Sequence, residues 1–326
     1  MNTVSGIRLQ ATGDPDVMTS TSWQRPDPGP GEILIHHEAI GVNYIDTYQR
    51  SGLYPIPVPG GIGLEAAGIV DAVGTGVTSL APGDRVAYCS GPPGAYAEAH
   101  VVKADRCVKL PDGLASDTIA ASLLKGLTVQ YLIRRIHRCG PEDTVLFHAA
   151  AGGVGQIAVQ WLKSLGTTII ATAGGPEKTR IANDLGAHHV IDYNAEDIAP
   201  AVRDITDGKG VRVVYDGVGA ATWEASLDCL QTRGLMVSFG NASGPVTGVN
   251  LGILASKGSL FVTRPTLAHY TATSNELQSS AKDFFDVLES GAVKISAPTV
   301  YPLSQAVQAH LALEGRKTTG SLILRP

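Results

Sequence analysis

A short glycine-rich segment carries the clearest chemical signal in this sequence. An apolar, β-branched run over Thr144–Ala149 precedes a group of small residues, and an amphipathic stretch with apolar positions through Leu165 follows. A strand, a tight turn and a helix in this order form the setting in which the pattern G-x-G-x-x-G binds the pyrophosphate of a dinucleotide. Here the pattern reads Ala150-x-Gly152-x-x-Gly155, so its first glycine is replaced.

The two remaining glycines predict different contacts. The missing side chain of Gly152 would let the backbone approach a pyrophosphate, whereas Gly155 would let the helix pack closely on the strand. Free N–H groups and the helix dipole favour an anion at the start of the helix. An ordinary small-residue turn between a strand and a helix is the alternative. The candidate cofactor contacts in this turn are Ala150, Gly152, Gly153, Val154 and Gly155.

The cofactor preference depends on the residues after the next predicted strand, Thr168–Thr172. Folds that prefer NAD place Asp or Glu at the end of that strand, where the carboxylate binds the ribose 2′-hydroxyl. The sequence instead continues into Gly174 and Gly175, and Lys178 follows in the first turn of a predicted helix. Because a lysine can bind a 2′-phosphate, the sequence predicts NADPH; a solvated surface lysine is the alternative.

The elements that carry these residues fall into two regions. Before about Leu123, short strand-like runs alternate with Gly/Pro turns, which predicts an all-β, partly open barrel. From about Gly126 to Val262, strand-like and helical runs alternate, which predicts a parallel, doubly wound sheet. A helix over Glu276–Ser290 and a final strand over Gly320–Leu324, returning to the first domain, complete the chain. The predicted fold class is therefore α/β, with one domain at 1–125 and 265–326 and a cofactor-binding domain at 126–264.

Further segments make the pattern far more specific than the glycine turn alone. They are Val42–Pro55, Gly63–Gly74, Leu123–Leu132, His148–Trp161, Val213–Gly219 and Arg233–Leu254. With these segments, essentially the whole chain resembles the zinc-independent quinone oxidoreductases of the zeta-crystallin type, in the medium-chain dehydrogenase/reductase superfamily. The similarity is greatest to the bacterial NADPH:quinone reductases. The resemblance implies a GroES-like, partly open β-barrel as the catalytic domain and a Rossmann domain that binds NADPH.

The resemblance also implies roles for residues outside the glycine turn. Asn43 and Tyr48 would face the nicotinamide and the acceptor, Tyr54 would form a wall beside them, and Asp46 is expected to have a structural role. Additional cofactor contacts implied in this way are Thr128, Tyr193, Gly240, Asn241, Arg264 and Arg316. The alternative for Tyr193 is a tyrosine that caps a core, for Asn241 a plain turn asparagine, and for Arg316 a surface arginine.

A zinc-dependent alcohol dehydrogenase of the same superfamily is a rival that the sequence can test. A catalytic zinc ion needs about three nitrogen or sulfur ligands and an open position. The segment Gly41–Tyr48 lacks the expected cysteine, Leu64 stands where a histidine would precede Glu65, and Ala120–Thr128 contains neither Cys nor His. The neighbours His36 and His37 point to opposite faces of a strand and are poor co-ligands. The sequence therefore predicts no metal ligands and, without a Lewis acid, reduction of an already electrophilic acceptor.

Composition limits the partners. The 326 residues carry a net charge of −5 without a basic block, which disfavours nucleic acid and anionic membranes. No run reaches the about 18 apolar residues of a membrane span. The four cysteines form no CxxC pair, which indicates ordinary thiols of the cytoplasm and leaves one disulfide open. An apolar segment at 246–262 predicts an edge strand through which two Rossmann sheets form a homodimer, and a buried loop with a final strand that serves only the monomer is the alternative.

The sequence thus predicts NADPH-dependent reduction of a small-molecule quinone, by hydride or single-electron transfer and without a metal. One alternative is reduction of activated C=C bonds in enals, enones or enoyl thioesters. Another, from a different class, is a cofactor-binding structural or RNA-binding protein of the crystallin kind, which the acidic net charge disfavours.

Overall fold

The structure is a computed structural model that describes residues 3–315 and 318–326. It separates into two compact units. The first unit comprises Met1–Leu124, Thr271–Phe285 and Ile295–Pro326, and the second comprises Lys125–Tyr270 and Asp286–Lys294. Among the described residues, every helix is too short or too polar to span a membrane.

The strands and helices are numbered along the chain. The strands are β1 (Thr3–Leu9), β2 (Met18–Gln24), β3 (Glu32–Val42), β4 (Gly60–Gly61), β5 (Ala66–Val73), β6 (Arg85–Tyr88), β7 (Ala99–Lys103), β8 (Val108–Lys109), β9 (Thr144–Phe147), β10 (Thr168–Ala173), β11 (His189–Asp192), β12 (Val211–Asp216), β13 (Leu230–Ser238), β14 (Phe261–Thr263), β15 (Thr299–Pro302) and β16 (Leu322–Arg325). The helices are α1 (Tyr44–Ser51), α2 (Ser116–Ala120), α3 (Leu123–Gln130), α4 (Gly153–Ser164), α5 (Pro176–Leu185), α6 (Ile198–Ile205), α7 (Trp223–Asp228), α8 (Gly252–Ser256), α9 (Leu267–Tyr270), α10 (Ser274–Glu289) and α11 (Ala306–Glu314). A π-helical segment, Tyr131–Ile136, extends α3.

The first unit is built around the long strand β3. Strand β5 pairs with one side of β3, and β7 and β16 pair with the other, all antiparallel. Apolar residues of β3 such as Ile33, Ile35 and Ile40 enter the core because their side chains point to its buried face. The predicted return of the last strand is confirmed, since Leu324 of β16 lies opposite Ile40.

The second unit contains a six-stranded sheet in the order β11-β10-β9-β12-β13-β14. Every adjacent pair of these strands is parallel. A helix follows each of the first five strands along the chain, as parallel crossovers require. The order corresponds to two mononucleotide-binding halves that diverge from β9 and β12, so the predicted doubly wound Rossmann sheet is confirmed.

The apolar segment 246–262 differs from its prediction. Most of it is irregular or belongs to the short helix α8, and only Phe261 and Val262 enter strand β14. Positive φ angles at Gly248, Gly258 and Ser259 interrupt an extended chain there. Strand β14 nevertheless lies at the edge of the sheet.

The four cysteines are all unpaired and buried. The disulfide that the sequence left open is therefore absent. Burial raises the pKa of each thiol, to about 11 for Cys139 and to about 12 for Cys229. These cysteines are protonated at neutral pH, which makes them poor nucleophiles.

Candidate functional site

The glycine-rich turn joins β9 to α4 and contains a strained residue. Ala149 adopts φ 53°, in the left-handed region that alanine rarely occupies. Gly155 lies against this turn, because an added Cβ would stand 2.4 Å from the Ala149 oxygen and 2.6 Å from Cα of Ala150. A side chain at Gly155 would therefore push the helix away from the turn. This is the close packing that the sequence predicts for Gly155, except that the helix contacts the turn and not the strand.

Gly152 stands in a different environment. It is the N-cap of α4, with φ −78° and ψ 169°, a conformation open to any residue. An added Cβ would meet, among the described atoms, only the Ala149 oxygen at 3.2 Å. An added Cβ would thus make one close contact, with a backbone oxygen, and Gly152 has no side chain of its own to cap the helix. A glycine at the N-cap fits the close approach of a pyrophosphate to the N–H groups at the start of α4, where Gly153 and Val154 are half-buried.

A buried network of polar side chains supports the glycine-rich turn. His148 bonds to the Thr172 hydroxyl through Nδ1 at 3.0 Å and to the Ser226 hydroxyl through Nε2 at 2.9 Å. Ser226 in turn donates to Asp216 at 2.7 Å, and the other Asp216 oxygen accepts the backbone N–H of Gly219. Burial lowers the pKa of His148, with Asp216 opposing the shift, so the ring is neutral. The network connects the carboxyl ends of β9, β10 and β12, and sequence analysis missed it.

The ends of β10 and β11 bring Gly174 and Tyr193 together, and Lys178 lies in the helix that follows β10. An added Cβ at Gly174 would lie 2.4 Å from the Tyr193 hydroxyl, so the ring covers this glycine. Tyr193 is 50% exposed. Lys178 is half-buried in the first turn of α5. Asp192 holds the two strand ends together, because one of its oxygens accepts the N–H of Gly175 at 2.9 Å.

The loops after β12 and β13 contain Gly240 and Asn241. At Gly240, an added Cβ would lie 2.3 Å from the Gly217 oxygen, so the two loops touch only because this residue is glycine. The Arg264 guanidinium donates to the oxygens of Ser238 at 2.9 Å and Gly240 at 3.1 Å. Arg264 thereby fixes the loop that presents Asn241, which is half-buried.

Thr128 lies within α3 rather than at the start of a helix. Its side chain hydrogen-bonds to Tyr131. Burial raises the pKa of Tyr131, and the nearby Arg264 opposes that shift. Tyr131 stacks on Tyr270 with ring centroids 4.6 Å apart. Thr128 and Arg264, which are far apart in sequence, therefore share Tyr131 as a neighbour in the second unit.

In the first unit, Asn43 stands immediately before α1 and is only 4% exposed. Its side-chain N–H donates to Glu65 at 2.7 Å, and its backbone N–H donates to Asp46 at 2.8 Å. The second Glu65 oxygen accepts the N–H of Leu124 at 2.6 Å. Gly41 makes room for this carboxylate, because an added Cβ would lie against Glu65. Glu65 thus fixes the Asn43 amide, and sequence analysis assigned it no functional role.

Two tyrosines meet beside α1. The rings of Tyr48 and Tyr54 are 5.3 Å apart and nearly perpendicular, and the Tyr54 N–H donates to the Tyr48 carbonyl at 3.0 Å. Tyr44 approaches Tyr48 from the preceding turn at 6.2 Å. Tyr48 and Tyr54 are both half-buried, so the pair offers an aromatic surface with two hydroxyls.

Asp46 has the structural contacts that its expected role requires. It is fully buried and accepts from the Tyr96 hydroxyl at 3.0 Å as well as from the Asn43 N–H. Tyr96 also contacts Nε2 of His310 at 2.9 Å. Burial and the nearby Arg50 lower the pKa of His310 to about 3, so this ring is neutral and donates to Tyr96. Arg316, the remaining predicted site residue, lies outside the described residues.

Comparison with known proteins identifies the family. Residues 29–112 match the alcohol dehydrogenase GroES-like domain, and residues 153–286 match the family described as zinc-binding dehydrogenase. The chain is 52% identical to a quinone oxidoreductase of Pseudomonas aeruginosa, over 98% of this chain and 99% of that protein. It is 43% identical to a 2-haloacrylate reductase of a Burkholderia species, over 98% of each. The structure of Escherichia coli quinone oxidoreductase complexed with NADPH matches with a TM-score of 0.97 and 50% identity, over 99% of this chain and all of that one. The chain therefore belongs to the quinone oxidoreductase family of the medium-chain dehydrogenase/reductase superfamily.

Proposed function

We propose that this protein is an NADPH:quinone oxidoreductase whose reaction needs no catalytic metal ion. The observation that carries the proposal is the glycine N-cap Gly152 at the start of α4, where an added Cβ would meet a single described atom within 4 Å, in a chain half identical to an enzyme solved with NADPH. A glycine that the fold itself hardly requires is explained by a ligand that approaches the backbone there.

The second unit would hold the cofactor. Bound NADPH supplies the reducing equivalents for the reaction. The Gly152–Gly155 turn would bind its pyrophosphate, and Lys178, with Tyr193, would bind the 2′-phosphate. Thr128, Gly174, Gly240, Asn241 and Arg264 complete the proposed contacts in the described chain, and Arg316 is a further candidate from the sequence.

The first unit would hold the acceptor. Tyr48 and Tyr54 form a half-buried aromatic pair, which suits a flat quinone ring, and their hydroxyls can donate to its oxygens. Asn43 is held by Glu65 through one amide N–H, so its orientation is fixed before any ligand arrives. A preorganised donor of this kind stabilises negative charge on the acceptor oxygen during reduction.

The residues at the zinc positions of the related dehydrogenases do not fit zinc. Leu64 offers no ligand, and both oxygens of Glu65 accept hydrogen bonds, from Asn43 and from the Leu124 N–H. Zinc sites need nitrogen, sulfur or unengaged carboxylate donors in a tetrahedral arrangement. We expect full activity in the presence of a chelator that removes zinc.

A second acceptor class has support from one relative, the 2-haloacrylate reductase. An activated alkene could accept reducing equivalents beside the same tyrosines. The test is a steady-state comparison of quinones and activated alkenes, each with NADPH at matched concentrations. A higher kcat/KM for quinones supports the proposal, and a higher value for alkenes assigns the alternative. Tight NADPH binding without turnover of any acceptor would instead indicate a crystallin-like binding protein.

We also infer a homodimer formed through the edge of the Rossmann sheet. Strand β14 ends the sheet, and its Phe261 and Val262 are 60% and 38% exposed. An exposed apolar edge strand invites pairing with a second copy about a twofold axis. The four unpaired thiols agree with the cytoplasmic location expected from the sequence.

A further inference from the structure

A loop in the second unit brings three side chains of metal-ligating type together. The loop runs from the π-helical segment into β9 and contains His137, Cys139 and Asp143. One ligand atom from each residue lies within 4.8 Å of the other two. Nε2 of His137 is 2.9 Å from Oδ1 of Asp143. Cys139 is buried, whereas the side chains of His137 and Asp143 are 20% and 18% exposed.

The backbone of this loop is fixed by hydrogen bonds that leave the three donor atoms in place. Gly140 donates its N–H to Oδ2 of Asp143 at 2.9 Å, which leaves Oδ1 turned to His137. The N–H of Asp143 donates back to the Gly140 carbonyl at 3.1 Å. The N–H of Cys139 donates to the Ile133 carbonyl at 3.0 Å, and Thr167 donates to the Gly140 carbonyl. Little of the loop must therefore be ordered when an ion binds.

We propose that His137, Cys139 and Asp143 form a binding site for a divalent cation of the zinc type. Imidazole nitrogen, thiolate sulfur and carboxylate oxygen are the three protein ligands that Zn²⁺ accepts. Mg²⁺ and Ca²⁺ prefer oxygen ligands alone, so a site that includes sulfur and nitrogen disfavours them. On binding, the Cys139 thiol releases its proton to solvent and the sulfur bonds to the metal. The proton that Nε2 of His137 donates to Asp143 passes to solvent or to Nδ1, which leaves the Nε2 lone pair and the Asp143 oxygen to bind the ion. Solvent beside His137 and Asp143 can supply the fourth ligand.

The position of this site indicates a stabilising rather than a catalytic role. The three ligands precede β9, whereas the proposed pyrophosphate contacts follow the carboxyl end of the same strand. Four residues of strand separate them, about 13 Å at the usual rise of a β-strand. The ion would fix the loop against the rest of the second unit, where Tyr215 of β12 contacts Cys139 at 3.2 Å. It is also separate from the positions that hold catalytic zinc in the related dehydrogenases.

The experiment uses the full-length protein after removal of metal by a chelator. Calorimetric titration with Zn²⁺ should show one equivalent bound, and Mg²⁺ should not compete. Titration with Co²⁺ should produce a sulfur-to-cobalt charge-transfer band together with the visible bands of a tetrahedral ion. Because a ligand that binds only the folded state stabilises it, Zn²⁺ should also raise the Tm.

Variants of the ligands make the assignment specific. Cys139→Ser should abolish the charge-transfer band. His137→Ala and Asp143→Asn should each weaken Zn²⁺ binding more than about a hundredfold, since loss of even an outer-shell partner costs about 10- to 100-fold. Cys229→Ser and His189→Ala, a buried thiol and an exposed imidazole of the same unit, are the controls and should bind as the parent does.

The proposal fails if no stoichiometric zinc binds, or if the three ligand variants bind as tightly as the controls. A cobalt complex without the sulfur band would also overturn it. The His137 side chain is less buried than Cys139, so His137→Ala tests the site even if Cys139→Ser proves unstable. Each of these readouts is independent of catalytic turnover.

Discussion

Gly152 and Gly155 belong to one motif, yet an added Cβ would meet very different surroundings at the two positions. An added Cβ at Gly155 would strike backbone atoms at 2.4 Å and 2.6 Å, whereas one at Gly152 would meet a single oxygen at 3.2 Å. Backbone atoms cannot swing aside as the end of a flexible side chain can. Gly155 therefore serves the fold, whereas Gly152 is the glycine that we propose to serve a ligand.

This difference predicts opposite effects of the same substitution. Gly155→Ala should lower the free energy of unfolding by about 1–3 kcal/mol, the usual cost of forcing an extra carbon into a packed site. Gly152→Ala should change stability little but raise the Kd of NADPH, because the methyl group enters the space proposed for the pyrophosphate. Chemical denaturation and NADPH fluorescence titration measure the two effects. Equal losses of stability in the two variants would contradict the assignment.

Lys178 tests the cofactor preference. Replacement by Ala removes the cation proposed to bind the 2′-phosphate, a charge-assisted contact with a free energy of about 1.5–3 kcal/mol. The KM for NADPH should rise roughly ten- to a hundredfold, and the KM for NADH should stay nearly constant. Lys178→Arg should retain most of the preference, and Lys209→Ala, which removes an exposed lysine of the same unit, is the control. If both cofactors suffer alike, this lysine does not bind the phosphate.

At the scale of elements, hydrophobic pattern and turn residues were sufficient to predict most strands. Strand β9 begins at the predicted Thr144 and ends two residues early, and β10 begins at the predicted Thr168 and extends one residue further. Such runs are predictable because alternation or continuous apolarity follows directly from burial. The prediction of a strand over most of the segment 246–262 is wrong for the same reason, because apolar residues of a helix and a loop also pack on the core. Leu254, for instance, packs against the core cluster from α8.

The missed parts of the site are contacts between elements distant in sequence. Glu65 and Asn43 are 22 positions apart, and His148 and Ser226 are 78 apart. No local pattern predicts that two such polar side chains will be buried together, because the reason is tertiary. The loop triad is an intermediate case. The spacing His137-x-Cys139-x-x-x-Asp143 is visible in the sequence, but only the fold shows that the three donor atoms converge.

The edge strand β14 supplies a prediction about assembly. Phe261→Lys places a charge on its exposed edge and should dissociate the proposed dimer, with a Tm that then no longer depends on protein concentration. Leu254→Lys is a poorer test, because Leu254 supports the core of the monomer. Leu311→Lys alters a 55% exposed leucine of the first unit and is the control. Light scattering that finds the parent monomeric at micromolar concentration would exclude the interface.

At the scale of the whole molecule, neutral histidines buried in both units connect stability to pH. Burial lowers the pKa of His37 and of His310 to about 3, and it lowers the pKa of His148 as well. The ordinary value of 6.5 returns when the chain unfolds. Between about pH 6.5 and 3 the unfolded chain therefore binds protons that the folded protein excludes. The contribution of these histidines to stability is fully present above pH 6.5 and is lost as the pH falls through this window.

His37 allows this coupling to be measured at one residue. Its Nδ1 lies 2.7 Å from the Ala97 carbonyl and its Nε2 3.0 Å from the Tyr88 hydroxyl, so the neutral ring donates to the first and accepts from the second. Gln can replace both contacts without titrating. Each excluded proton steepens the dependence of the unfolding free energy on pH by about 1.4 kcal/mol per pH unit. In denaturant titrations between pH 6 and 4, His37→Gln should show a slope smaller than the parent by about one proton. The neighbouring His36 is exposed on the other face of β3, and His36→Gln is the matched control for the substitution itself. Identical slopes for His37→Gln and the parent would mean that His37 is protonated in the folded protein.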